Sequence, residues 1–389
     1  MHLIYLANIR LPTEKAHGLQ IMKTCEALAK QGVEVELIVP RRLNRFKDDP
    51  FEFYGVEKIF KLTKLWCLDL ISLNIFGTLG FWLESWTFYQ SAKRYLFHLT
   101  QGGREEVVYY TRDLPIACWL SKKMASVYYE IHMLPDQPDR YHRETWQRAK
   151  GLVVISNGLK QKLVLEGVAV NKIIVAFDAV DTDQFTQLNS QQTQWASREQ
   201  LSLPQDKKIV LYTGHLYEWK GAHVLADAAE ELYRKMKNDI QVYIVGGTAK
   251  DILAFKKKYH NCLNLHIVGW EKHSLMPVWH HAADVLILPT SARETIGSVY
   301  TSPLKLFEYM ISERPIVASD IPSLHEVLDD NTTTFCTPDD PKALANAIQD
   351  VLTNFTQAQV KAKRAHTIVL EKYSWNKRAK IIKNFISKV

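Results

Sequence analysis

The 389-residue sequence predicts an α/β protein with two consecutive Rossmann-like domains, each a doubly wound parallel sheet. Three observations predict it. Short apolar runs alternate with amphipathic helical patterns as far as Ala176. A polar stretch rich in Gln and Ser, TQLNSQQTQWASREQLSLP, then breaks the rhythm. A second series of the same kind follows and runs to Pro315–Ala318. Strands covered on both faces read as continuous apolar runs, which is what both series contain. Two such sheets imply a cleft at the carboxyl ends of their strands, where ligands of this architecture bind.

The elements follow in chain order. His2–Leu6 reads as a strand. Gly18–Gln31 reads as a helix, with Met22, Cys25 and Leu28 or Ala29 on one face and Gly32 ending it. Val35–Val39, Val107–Tyr110, Val127–Ile131, Leu152–Ile155 and Ile173–Ala176 read as further strands. The expected first domain is residues 1–187 and the linker 188–204. The second domain, 205–373, holds strands at Ile209–Tyr212, Ile240–Val245, Leu265–Val268, Val285–Leu288 and Pro315–Ala318. The last segment, 374–389, is a basic amphipathic helix.

Composition excludes several classes. Apolar and charged fractions of 47% and 23% are those of a globular protein. The net charge of +7 is spread thinly, so no nucleic-acid stripe is implied. Five scattered cysteines lack metal-pair spacing and read as buried small hydrophobes in a reducing compartment. HLIYLAN is too short for a signal-peptide core, and the uncharged run Leu70–Leu83 is too short to span a bilayer as a helix. The expected location is cytoplasmic, peripheral on the inner face of the membrane. That last point rests on 65–97, where Trp66, Phe76, Phe81, Trp82, Trp86, Phe88 and Tyr89 lie between Lys58, Lys61, Lys64 and Lys93, Arg94. Aromatics flanked by cations suit a membrane interface. A helix pair packed on the sheet is the plainer alternative.

The chemistry concentrates in SPLKLFEYMISERPIVASD, from Ser302 to Asp320. Ser302 is a candidate helix cap and Pro303 fits the first helical position. Free N–H groups there favour an anion. Lys305 in the first turn is unfavourable for the helix dipole unless an anion is bound, and Glu308 lies on its face one turn on. A cap, a cation and a carboxylate in this order suit a nucleoside diphosphate, with Glu308 on ribose hydroxyls. An ordinary capped helix with a surface Lys–Glu pair is the competing reading. In TGHLYEWKG, after the strand Ile209–Tyr212, Gly214 allows a tight turn, and Lys220 with Gly221 opens the next helix. His132 follows Val127–Ile131 at the carboxyl edge of the first sheet. Glu130 is expected to alternate to the other side of that strand. No phosphate loop, zinc motif or nucleophile elbow occurs.

SPLKLFEYM…PIVASD resembles the nucleotide-sugar segment of retaining glycosyltransferases of family 4, which have the GT-B fold. The family pattern is Glu-x7-Glu. Glu308 matches the second Glu, and Tyr300 stands at the first. The family's Gly-Arg-Leu and Lys-Gly match at Gly214 and Lys220, with His215 in place of Arg. The resemblance implies that Lys220, His215 and the Ser302, Pro303, Leu304, Lys305 turn hold the diphosphate. It also implies that His132 lies beside the donor sugar, that the backbone at Trp270 reads the base, and that Gly18 survives from a loop approaching the phosphates. Lys15 and His17 are acceptor-site candidates. Asp178-Ala179 replaces the family's Asn-Gly, and Asp181-Thr-Asp183 is read as part of that segment rather than as a metal motif.

What the resemblance implies is a metal-independent retaining transferase without a cofactor. It would move a sugar from a nucleotide-sugar donor to a glycan or lipid-linked acceptor in cell-surface polysaccharide or glycoconjugate synthesis. The terminal helix would cross back onto the first domain. Alternatives are a catalytically weak GT-B module that binds nucleotide or glycan or scaffolds a partner, and a GT-B sugar-nucleotide epimerase. Glu294 would supply the missing carboxylate if its loop folds back.

Overall fold

The computed structural model describes residues 1–70, 77–100, 107–191 and 193–388. The chain divides into two compact units, Met1–Ala176 with Trp375–Val389, and Phe177–Ser374.

The first unit is a seven-stranded parallel sheet. Its strands are β1 His2–Leu6, β2 Glu34–Arg41, β3 Lys61–Trp66, β4 Val107–Thr111, β5 Val127–Ile131, β6 Gly151–Val154 and β7 Ile173–Val175. Their spatial order is β3-β2-β1-β4-β5-β6-β7, so the winding reverses between β1 and β4. Leu3 lies beside Val35 on one side and Val108 on the other. All five β1 side chains are buried, as a central strand with two covered faces requires. The helix Gly77–Thr100 packs Phe88, Ala92 and Leu96 onto one face with Ile4, Ile38 and Tyr109. The terminal helix Trp375–Lys388 belongs to this unit, and Lys383 Nζ donates to Gln31 O at 2.5 Å.

The second unit is a six-stranded parallel sheet of β8 Lys208–Thr213, β9 Ile240–Val245, β10 Leu265–Gly269, β11 Val285–Leu288, β12 Ile316–Ser319 and β13 Thr334–Cys336. The order is β10-β9-β8-β11-β12-β13, with the reversal between β8 and β11. Leu306, Phe307, Tyr309, Met310 and Ile311 of the helix Leu304–Ile311 are wholly buried among Leu211, Leu286 and Ala318.

Four expectations need correction. The segment 188–204 is not a linker: it carries the helices Thr182–Gln191 and Gln194–Gln200 inside the second unit, Gln192 lying outside the described residues. Arg198 is buried there. It donates to Ala282 O at 2.9 Å and pairs with Asp284 at 2.7 Å, and the Gln194 amide donates to Ala283 O at 3.0 Å, so a polar-looking stretch docks through its polar side chains. In 65–97 one helix, Gly77–Thr100, is described where a helix pair was expected; Leu65 and Trp66 end the edge strand β3, and residues 71–76, Phe76 among them, lie outside the described residues. Ser302 does not cap the following helix. Pro303 is the N-cap, and Ser302 Oγ instead accepts the Asp178 N–H at 3.2 Å. Glu130 does not face away from His132. Residues two apart in a strand share a face, and the two side chains meet at 2.6 Å.

Candidate functional site

The second unit brings three strand ends together through glycine. Gly214, at the end of β8, has φ 132° and donates its N–H to Val245 O at 2.8 Å. Gly246, after β9, donates to Gly269 O at 2.6 Å. A Cβ on Gly246 would stand 2.2 Å from Gly214 O, so the backbones touch where side chains would not fit. Gly221 has φ 74° and room only for hydrogen, since a Cβ would lie 1.6 Å from Pro289 O. It lets the turn Glu218–Lys220 enter the helix Ala222–Met236.

The helix Leu304–Ile311 is fixed to β8 by Tyr309, whose hydroxyl accepts the Thr213 N–H at 2.8 Å. That contact sets Lys305 beside Gly214: a Cβ there would be 3.0 Å from Lys305 Nζ. Lys305 Nζ lies 3.6 Å above the Tyr212 ring, is buried, and has no hydrogen-bond partner among the described residues. Lys220 Nζ lies 3.8 Å above the Trp219 ring. Ring faces attract both ammoniums but supply no counter-charge.

Burial pulls the Lys220 ammonium down to about 7, partly offset by Asp178. Lys305 is pulled well below the usual lysine range, first by burial and then by Lys220, with Glu308 opposing. Lys305 therefore feels Lys220, and the nearby carboxylates, Asp178 for Lys220 and Glu308 for Lys305, do not offset burial. Glu308 is buried, which by itself would raise its pKa. The charge and hydrogen bond of His273, with help from His280 and Lys305, outweigh burial and hold the carboxyl below its usual range. His273 Nε2 and Glu308 Oε1 are 2.7 Å apart.

Around this group, His215 stacks on Tyr217 with ring centroids 5.1 Å apart, and its carbonyl accepts the Tyr212 hydroxyl at 2.7 Å. Tyr300 is buried at the end of the π-helical turn Ile296–Tyr300. Trp270 follows β10 directly, and Leu304 is half-buried. Glu294 is exposed, and its backbone carbonyl accepts the N–H groups of Gly297 and Ser298. Asp181 Oδ1 accepts the Gln184 N–H at 3.1 Å, so the Asp-Thr-Asp stretch starts a helix. Sequence reasoning missed His273 and gave no role to Asp178. The signal for His273 was its place in the loop after β10, three residues past Trp270.

Gly18 and His132 belong to the first unit. Gly18 lies in the first turn of the helix Ala16–Lys30, where a Cβ would meet the Tyr54 hydroxyl at 2.2 Å. That hydroxyl accepts the Thr13 N–H at 2.7 Å and donates to Thr13 O at 2.8 Å, so the glycine makes room for a loop clamp. His132 Nε2 lies 2.6 Å from Glu130 Oε1. Glu130 is fully buried and also accepts from Gln20 at 2.5 Å, from Arg378 at 2.7 Å and from the Tyr110 hydroxyl. Burial opposes its charge, but Arg378 and then His132 hold the carboxyl well below the usual range.

Chemically, the second unit offers a strand-end cradle of backbone, two desolvated cations and an ionised carboxylate. The first two suit a diphosphate; the third accepts hydrogen bonds from vicinal hydroxyls.

The family model described as Glycosyl transferases group 1 matches residues 207–354. The chain is similar to alpha-D-kanosaminyltransferase of Streptomyces kanamyceticus, 29% identical over 203 residues, covering 50% of this chain and 48% of that one. It spans about half the length of the curated relatives it matches. Among solved structures, sucrose-phosphate synthase of Thermosynechococcus elongatus superposes with a TM-score of 0.75 at 18% identity, over 100% of this chain and 98% of that one. Anabaena HepE, in complex with UDP-glucose, gives 0.72 at 14% identity over 100% of both chains. The chain therefore has the GT-B fold seen in known glycosyltransferases, and residues 207–354, which include Lys220 and Lys305, match the family model of glycosyl transferases group 1.

Proposed function

We propose that the protein is a metal-independent retaining glycosyltransferase that uses a nucleotide-sugar donor and a glycan or lipid-linked acceptor, in cell-surface polysaccharide assembly. One observation carries the reading: Lys305 Nζ is buried, unpartnered and in the field of Lys220, beside the glycine end of β8. A buried ammonium without a hydrogen-bond or ion-pair partner is costly unless a ligand supplies one. The names of similar proteins point the same way, since one is a kanosaminyltransferase and another was solved with UDP-glucose.

In this reading the bond from the anomeric carbon to the diphosphate oxygen breaks, and a bond to the acceptor oxygen forms on the same face. The acceptor proton passes to the departing diphosphate. Lys220, Lys305 and the start of the helix Leu304–Ile311 stabilise the leaving charge, with His215 beside them. Glu308, held by His273, binds ribose, and His132, held by Glu130, positions the sugar. Lysines here do the electrostatic work that a divalent cation does elsewhere. Tyr300 offers a hydroxyl where the family has a carboxylate, which suits a deoxygenated or amino-substituted sugar.

The test is release of nucleoside diphosphate from a panel of sugar nucleotides, with and without magnesium, by wild type and Lys305→Met. Magnesium-independent release that the substitution abolishes supports the reading. Tight nucleotide binding without release or transfer would favour the catalytically weak module instead, which the Tyr300 and His215 replacements also fit.

A further inference from the structure

The helix Gly77–Thr100 is apolar on both sides. Its inner side is accounted for: Phe88, Ala92 and Leu96 are buried on the sheet, and the buried carboxylate of Glu84 pairs with Arg42. At 100° per residue, the opposite side collects Leu79, Trp82, Leu83, Trp86, Gln90, Lys93, Arg94 and Phe97. The apolar members are largely in solvent: Leu79 is 69% exposed, Trp82 64%, Leu83 46%, Trp86 59% and Phe97 59%. They form a stripe about 27 Å long at 1.5 Å per residue. Leu68, also exposed, joins its flank through the hydrogen bond from its N–H to Thr87 Oγ1 at 2.9 Å. A contiguous row of two tryptophans, a phenylalanine and leucines is not needed to hold the helix down. It marks a surface that meets something.

We propose that this stripe docks the protein on an anionic lipid bilayer surface. The charges choose the occupant. Glu84 is the helix's sole carboxylate, and it is buried and paired, so the outward side presents no negative charge. Lys93 and Arg94 stand on the same side at one end, and neither makes an ion pair among the described residues. Tryptophan at the headgroup level with cations beside it is the composition of an interfacial helix lying in the membrane plane. The helix does not cross: no described helix is long and apolar enough to span a bilayer. A protein partner of matching shape would be expected to meet carboxylates or hydrogen-bonding groups around such a patch, and the outward side carries only cations and Gln90.

The experiment is vesicle co-sedimentation of the full chain at low salt. One vesicle type is phosphatidylcholine alone and the other contains about a third phosphatidylglycerol. Three variants are compared: wild type, Trp82→Ser with Trp86→Ser, and Lys93→Gln with Arg94→Gln. All four side chains are exposed, so unchanged melting curves establish that the variants fold. Wild type pellets with anionic vesicles at least about tenfold more strongly than with neutral ones, and high salt releases it. Removing two charges worth about 1 kcal/mol each lowers the partition roughly thirtyfold. The double tryptophan variant stays in the supernatant. Equal pelleting on both vesicles, or variants that bind like wild type, overturns the proposal. So does a lipid-free dimer, seen by light scattering, that the tryptophan variant abolishes; that result assigns the stripe to a second copy of this chain.

Discussion

Lys220 makes ligand binding a proton-uptake reaction. Without ligand its ammonium titrates near 7, chiefly because it is buried. A diphosphate beside it favours the charged form and returns its pKa toward the ordinary value of about 10.4. The complex therefore binds the proton more tightly than the free protein does. The share of sugar-nucleotide affinity that Lys220 supplies is full well below pH 7 and is lost as pH rises through it. From pH 7 to pH 9 the free protein's protonated fraction falls about fiftyfold, so affinity falls about fiftyfold, or ~2.3 kcal/mol. Lys305, which burial and then Lys220 pull well below the usual lysine range, acts in the same direction. Calorimetry in buffers of different ionisation enthalpy reads the protons directly. At pH 8 Lys220 requires uptake of about one proton per nucleotide, and the uptake falls by that amount in Lys220→Met. Binding that takes up no protons between pH 7 and 9, or a slope unchanged by Lys220→Met, would refute the reasoning.

Three further outcomes follow from named contacts. Glu308→Gln weakens binding of a ribonucleotide by about 1.5–3 kcal/mol and removes the preference over its deoxyribose counterpart, measured by competition binding; loss of affinity with that preference intact would place Glu308 elsewhere. Glu130→Gln leaves the buried Arg378 guanidinium without its counter-charge and lowers stability by about 3–5 kcal/mol in chemical denaturation. The pair Glu130→Gln with Arg378→Gln recovers part of that loss, and no recovery would mean the two do not act as a pair. Gly221→Ala places a Cβ 1.6 Å from Pro289 O at positive φ, so it costs more than the roughly 1 kcal/mol of an ordinary glycine replacement; a neutral effect would contradict the geometry.

The strands with uniform apolar character were legible because a two-sided sheet demands it. β3 was not, since KLTKLW is a half-exposed edge strand whose lysines obscure the run. β13 has three residues, too few to show a period. Lys220 in the turn before the helix Ala222–Met236, and Lys305 at the start of the helix Leu304–Ile311, could be singled out by type and position. Their burial, and their stacking on Tyr212 and Trp219, depend on packing that no spacing reveals. The same holds for His273 with Glu308, and for Arg378 with Glu130, 248 residues apart. Glu130 beside His132 is a different lesson: the strand period of two was enough to pair them.

The central claim is that the lysine pair is a diphosphate site. A thermal-shift screen tests it most directly, comparing wild type with Lys220→Ala against UDP, GDP, ADP and CDP, with and without magnesium. The account predicts stabilisation by one of the four that does not need magnesium and is lost in the variant. Folded wild type that none of the four stabilises, or a shift that survives Lys220→Ala, would contradict it.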